Sequence, residues 1–459
     1  MLNALKSRRI PLLFAGLSVI FYSVFAYDLE RWDFARLGLL YAALFFLAYK
    51  LIQVGRGNYW WLVGFGVAFR LVFIGGLPNL SQDFYRFLWD GRLLAQGLSP
   101  YLFTPESYMQ LPSSFAAEIP QATELYKGMG SLNASHYSNY PPINQLFFAI
   151  AAAISGSSII GSVITLRLLL IVADLGILFI GQRLLKRLAL DPYVIFWYFL
   201  NPFVIIELTG NLHFEGAMLF FLILFLYLLY RGLWQWAAAA MAVSISVKLI
   251  PLLFLPILFK WFQTGTSGTK GVMQLLLFYG IVLGAVLLSF LPFLSSEFIS
   301  NFSATIGLWF QNFEFNASVY YIIRWIGFET VGWNIIGTAG KILPIIVFIV
   351  IILLTFLRKH SLIPQLCAGM LWAVSAYLLL ATTVHPWYIA TPVLLCLFTP
   401  YRFPIVWSVL VVVSYTAYGA DGFQEKLGWV ALEYVVVIGY ATWEVILQNK
   451  KRKRLQLSH

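Results

Sequence analysis

Apolar runs of about 18 residues or more recur along the chain, long enough to cross ~30 Å of hydrocarbon. With some shorter runs, among them 233–248 and 249–262, they give expected spans at 10–27, 35–54, 59–77, 162–182, 191–209, 214–230, 233–248, 249–262, 271–293, 341–357, 364–383, 387–400, 403–419 and 427–447. This pattern predicts an all-α polytopic membrane protein with about 12 to 14 transmembrane helices. A shorter apolar run, 142–156, follows Tyr140 and two prolines and reads as a helix that dips into the bilayer and returns. Two connections are long, 78–141 and 294–340, and both are rich in Trp, Tyr and Phe. That composition suits segments lying along the interface better than disorder.

Within the first long connection, Asp83–Gly97 reads as a helix. Asp83, Arg86 and Asp90 then fall within about 60° of one another, with Phe84, Phe87, Leu88, Leu94 and Ala95 on the adjacent face. The expected element is an amphipathic interfacial helix presenting two carboxylates and a guanidinium just outside the membrane. The plainer alternative is a surface helix whose Asp–Arg pair is solvated and inert.

Composition removes the soluble alternatives. Of 459 residues, 61% are hydrophobic and only 11% charged, against about 25% charged in soluble domains. The net charge of +11 does not indicate nucleic acid, because the basic residues sit in short connections and at the ends. Lys6, Arg8 and Arg9, then Arg183, Lys186 and Arg187, then Arg358 and Lys359, and the tail 448–459 with Lys450 to Arg454 mark the cytoplasmic side. They also suit contact with anionic membrane lipids. The connection 78–141 instead carries Asp83, Asp90, Glu106, Glu118 and Glu124 against Arg86, Arg92 and Lys127. Fourteen crossings leave both termini cytoplasmic. Cys367 and Cys396 lie in apolar runs and suggest neither a disulfide framework nor a metal site. The basic start and first apolar run lack a small-residue cleavage site, so a retained first span is expected. The whole chain, 1–459, reads as one transmembrane domain.

Threaded this way, the chemistry-bearing residues share the external side. Asn211, His213 and Glu215 stand where one span ends and the next begins, with Glu215 in the first helical turn, where negative charge is favoured. Capping and anchoring are the plain alternative. Lys248 interrupts the apolar stretch from Ala237 to Phe259, and an intramembrane lysine is a functional candidate by default. Snorkelling to a headgroup is its plain alternative. His385-Pro-Trp-Tyr388 opens a span with proline at a position that suits the first turn. Glu314 and Asn316 are weaker candidates, and Arg70, Arg167 and Asp174 are expected to pack against other helices or each other. Each signal is modest alone, and their common side carries the inference.

Asp83-Phe-Tyr-Arg-Phe-Leu-Trp-Asp90-Gly91, Gly97-Leu-Ser-Pro-Tyr101, Asn139-Tyr-Pro-Pro142, His213-Phe-Glu215, Val247-Lys248-Leu-Ile-Pro251 and His385-Pro-Trp-Tyr388 occur in that order. Together they resemble the multi-span GT-C glycosyltransferases that use polyprenyl-phosphate sugars, in particular bacterial mannosyltransferase-like proteins. More distantly they resemble the catalytic subunit of GPI mannosyltransferase I. The resemblance covers residues 78 to 400 and implies a GT-C-like bundle in a bacterial plasma membrane, with its active site facing the periplasm or exterior. It implies a polyprenyl-phosphate donor carrying a hexose, mannose by resemblance, and a glycan or lipid acceptor.

The same resemblance puts a catalytic or metal-contacting aspartate at Asp83, with Asp90 as a possible second carboxylate. Families with an Asp-x-Asp pair have an acid where this chain has Ser81, which leaves open whether a divalent cation, magnesium or manganese, is used. Asp83 is then the base for the acceptor hydroxyl, and Arg86, Lys248 or His385 stabilises the departing phosphate. Tyr140, His213, Glu215, Trp387 and Tyr388 complete the expected substrate site, with loop aromatics stacking on sugar faces. The rival class is a transporter or flippase of lipid-linked sugars, which needs charges near the midplane, broken helices and inverted repeats.

Overall fold

The computed structural model describes residues 2–111, 119–265 and 268–457. The 112–118 stretch of the first long connection and the last two residues of the basic tail lie outside the described residues. The described chain is helical throughout apart from a two-stranded ribbon, Tyr418–Gly419 with Gly422–Phe423.

Among the described residues seven helices are long and apolar enough to cross a membrane: Arg9–Tyr27, Phe34–Val54, Ile159–Arg187, Thr269–Phe293, Ile336–Leu357, Ile363–Leu380 and Leu427–Lys451. The pair Pro192–Phe199 and Pro202–Gly210, bent by 47°, makes an eighth if it is one span. Shorter apolar helices such as Tyr59–Val72, Glu215–Tyr230 and Trp234–Val247 stand where other crossings are expected. The expected span 249–262 is not a single helix. It divides into a 3₁₀ turn, Ile250–Phe254, and the helix Leu258–Gly265, because Pro251 and Pro256 leave no run of backbone donors long enough to continue one helix.

The charges inside the spans hold this bundle together. Arg70 pairs with Asp174 at 2.7 Å, both side chains buried. Its Nη1 donates to the carbonyls of Phe199 (2.8 Å) and Gly66 (3.0 Å). Tyr198 and Thr209 hydroxyls donate to the same carboxylate at 3.3 and 3.4 Å. Arg167 is not paired with Asp174. It donates instead to the carbonyls of Thr209, Gly210 and Ile74 at 2.9, 2.8 and 3.0 Å. Those carbonyls belong to the end of a π-helical turn, Ile205–Gly210, and to the loop after Tyr59–Val72. Arg167 therefore caps the broken helix from which Asn211 to Glu215 emerge.

The first-connection helix runs from Asp83 to Ala95, close to its expected bounds. Its setting differs from the expectation. Phe84 and every residue from Arg86 to Leu93 are buried, so it is a packed helix rather than one lying exposed along an interface. Gly91 permits this. A Cβ there would sit 2.3 Å from the Phe148 carbonyl oxygen, so the helix Pro142–Ser155 comes up against bare backbone. Phe87 and Phe148 stack alongside, centroids 4.6 Å apart.

Candidate active site

Asp83 and Asp90, two turns apart on one helix, have different surroundings. Asp90 is fully buried and accepts from Arg86 Nε (2.8 Å), Ser138 Oγ (2.6 Å) and Gln145 Nε2 (2.8 Å). Arg86 also donates to the carbonyls of Asn133 and His136 at 2.8 and 2.7 Å. The pair is thus buried, neither presented outside the membrane nor solvated as the plainer alternative had it. It fastens the first connection to its own helix. Asp83 is only half-buried, and its one recorded side-chain partner is Asn133 Nδ2 at 3.0 Å. It is the first residue of the helix.

The remaining expected residues gather in a ring of contacts. Lys248, at the end of Trp234–Val247, holds its Nζ 3.1 Å from Glu215 Oε1 and 5.2 Å from the centre of the Tyr140 ring. Its side chain stays 19% exposed, whereas Glu215 is fully buried with no donor for Oε2. The Tyr140 phenol is pushed well above its usual range by burial and then by Asp83, which places that carboxylate beside it.

His213 follows Leu212, a non-glycine residue at φ 61°. A branched side chain there is strained, and capping of the preceding carbonyls by Arg167 holds it. Asn211 fixes the same turn, donating to the Ile206 carbonyl at 3.1 Å and accepting from the Leu80 amide at 3.1 Å. The turn is thereby tied to the segment leading into Asp83.

His213 stacks on Trp387 at 3.5 Å, and Trp387 on His385 at 4.5 Å and 5°. The buried Trp387 indole is thus held between the two imidazoles. Tyr388 meets the His385 ring edge-on at 5.5 Å. Burial, then Lys248 and Arg31, pushes the His385 pKa down to about 3. Burial, then Lys248, His385 and Arg31, lowers that of His213 as well. Both imidazoles are neutral at neutral pH.

Several members of the ring are absent from the expected site. Glu207, in the π-helical turn, accepts from the Tyr415 hydroxyl at 2.8 Å and lies 3.9 Å from His213 Nε2. Glu207 Oε2 and His213 Nε2 have no hydrogen-bond partner. Phe315 packs on His385 (5.4 Å) and on Tyr418 (6.1 Å), held there by a backbone bridge to Thr383. Arg31, from the short connection after the first helix, lies with its guanidinium carbon 3.2 Å over the Tyr418 ring. The signal for Arg31 lay in the charge pattern: it is the one basic residue in a short connection that otherwise carries Asp28, Glu30 and Asp33.

Glu314 instead pairs with Arg324 and accepts from Tyr320. The Asn316 amide N–H donates to Glu425 at 2.6 Å, and its carbonyl accepts from Tyr434 at 2.6 Å. Both residues order the second long connection. Among the described residues no three His, Cys, Asp or Glu side chains converge as a metal site. An apolar groove of about 310 Å³ opens nearby. It lies between the turn Ile250–Phe254 and the helices Ile336–Leu357 and Ile363–Leu380, reaching Tyr377 and Thr382.

A many-helix membrane protein with an under-satisfied cluster of acids, imidazoles and cations at one end of broken helices has the equipment of a membrane-embedded transferase. The chain belongs to the alpha-(1->6)-mannopyranosyltransferase family, whose N-terminal domain description matches residues 34–263. It is 25% identical over 341 residues to alpha-(1->6)-mannopyranosyltransferase B of Corynebacterium glutamicum, over 68% of this chain and 54% of that protein. It is 22% identical over 399 residues to alpha-(1->6)-mannopyranosyltransferase A of Mycobacterium tuberculosis, over 83% of this chain and 73% of that protein. The match thus spans about half of the corynebacterial relative. The matched region 34–263 holds Asp83, Tyr140, His213, Glu215 and Lys248, while Arg31 and His385 to Tyr388 fall outside it.

Proposed function

We propose that this chain transfers a mannosyl unit from a polyprenyl-phosphate donor to a hydroxyl of a glycan or lipid acceptor, forming an α-1,6 linkage. The reaction face is the non-cytoplasmic side of a bacterial plasma membrane. Family membership supports mannosyl transfer. The observation that carries the chemistry is the contrast on one helix: Asp90 is saturated by three donors, whereas Asp83 keeps an oxygen for other work.

Asp83 accepts the proton of the acceptor hydroxyl as that oxygen bonds to the anomeric carbon. The bond from the anomeric carbon to the phosphate oxygen breaks, and its electron pair leaves with the lipid phosphate. Lys248, charged and poised beside Glu215, stabilises the negative charge that develops on the departing group. The neutral His385 contributes a ring N–H or lone pair. A lipid-linked donor also has a place for its tail, because the apolar groove begins within a few residues of Lys248 in the chain. Arg167 and Asp174 are committed to helix packing, which leaves Lys248 of the three intramembrane charges that supported a transporter.

Membranes containing wild type or Asp83→Asn, supplied with a polyprenyl-phosphate mannose donor, provide the test. The variant is expected to lose on the order of 10³-fold in transfer rate with an unchanged melting temperature. Transfer that survives the substitution would remove Asp83 as the base.

A further inference from the structure

We infer that Arg31 is a phosphate-gripping cation of this site, acting with Lys248 on the anionic head of the lipid-phosphate substrate. The inference rests on the mannosyl-transfer reading and adds to it the residue that recognises the leaving group. The contacts form a closed circuit. Arg31 lies over Tyr418, Tyr418 touches Phe315, Phe315 touches His385, and the stack His385–Trp387–His213 leads to Glu207. Glu207 is bound by Tyr415, whose ring lies 6.0 Å from Arg31. A residue from the first connection is thereby built into a wall otherwise made from the far end of the chain.

The two cations of the site differ in how far they are compensated. Lys248 has its carboxylate, Glu215, at 3.1 Å. Among the described residues no carboxylate lies within ion-pair distance of Arg31, and its Nε is buried without a hydrogen-bond partner. Arg36, its neighbour in sequence, is instead paired with Asp28. The aromatic ring beneath Arg31 fixes the plane of the guanidinium without consuming its charge. An oriented, uncompensated fork of N–H donors is matched by a phosphate, which it can hold through two parallel bonds. After burial and Lys248, Arg31 also helps to keep His213 and His385 neutral.

The test uses the full chain in nanodiscs and three probes: farnesyl phosphate, farnesol and inorganic phosphate, with binding followed by intrinsic tryptophan fluorescence. Arg31→Gln is expected to weaken farnesyl phosphate binding on the order of 100-fold and to leave farnesol binding unchanged. Arg31→Lys, which keeps the charge but not the fork, is expected to lose about tenfold, and it carries the test if the glutamine variant fails to fold. Unchanged farnesyl phosphate binding in a folded variant overturns the assignment. Inorganic phosphate competing at the same concentration as farnesyl phosphate overturns its lipid-linked part. A wild type that binds farnesyl phosphate through Arg31 but transfers no mannose would sink the transfer reading and leave the anion site standing.

Discussion

Two buried polar clusters lie a few residues apart in this molecule, and they are finished to different degrees. Around Asp174, two spans and the broken helix meet, and the carboxylate receives Arg70, Tyr198 and Thr209. The nearby Arg167 spends its donors on three carbonyls. Around His213, one turn further along the chain, Glu207 Oε2, His213 Nε2 and Glu215 Oε2 all lack partners. Buried polar atoms are usually paired, and an unpaired one costs about 1–3 kcal/mol. The first cluster leaves Arg70 Nη2 unpaired but its carboxylate fully engaged, whereas the second leaves two carboxylates and an imidazole open, the arrangement of a cluster held in readiness for something that binds. The first cluster is the foundation of the second, since Arg167 caps the turn that presents His213.

That contrast is broken most forcefully at Asp174. Its replacement by alanine leaves Arg70 charged and buried, and is expected to destabilise the protein by about 3–5 kcal/mol. The measurement is thermal or denaturant unfolding in detergent, with transfer lost only through unfolding. An Asp174→Ala protein of wild-type stability would mean that the pair does not hold the spans.

Asp90→Asn is the next largest effect. The isosteric amide keeps the shape but leaves Arg86 uncompensated beside Ser138 and Gln145, so about 2 kcal/mol of stability is expected to go. The transfer rate per folded molecule should stay near wild type. A selective loss of rate would move Asp90 from the scaffold into the chemistry.

Glu215→Gln sharpens the contrast from the other side. The Lys248 side chain is 19% exposed and can be solvated once Glu215 is neutralised, so the substitution should shift stability by less than about 1 kcal/mol. Transfer should nonetheless fall by about tenfold or more, because Lys248 loses the group that positions it. Stability loss as large as that of Asp174→Ala would make the two clusters equivalent and defeat the comparison.

The residues that could be read from sequence were those whose local pattern forces an outcome. Apolar runs of membrane length mark every long helix, and the helix from Asp83 to Ala95 follows from its spacing. Lys248 in an apolar stretch stood out as a functional candidate or a snorkelling residue, but its partner Glu215 could not be read from the pattern. What escaped was pairing. Arg86 and Asp90 are i and i+4 on a helix, yet only Pro142–Ser155 packing down on Gly91 turns that pair from solvated to buried. Arg31 and Tyr418 are nearly the length of the chain apart, and no local pattern joins them. The second π-cluster, His213–Trp387–His385, likewise exists only once distant helix starts are brought side by side.

The smallest predicted effect concerns protons at that stack. An unfolded histidine titrates near pH 6.5, whereas folding holds His385 down to about 3. As pH falls below about 6.5, the unfolded chain takes up a proton that the folded chain refuses, so stability is full above that value and declines toward pH 3. His385 is half-buried, and screening at its open side limits the loss between pH 7 and 5 to less than about 1 kcal/mol. The check is the drop in melting temperature between those two pH values, compared for wild type and His385→Gln. Wild type is expected to drop further, and its transfer rate should show no inflection from this imidazole between pH 5 and 8. Equal drops would mean that the ring protonates freely in the folded state. In that case Lys248 and Arg31 would not both bear on it, and the two-cation pocket would lose its electrostatic signature.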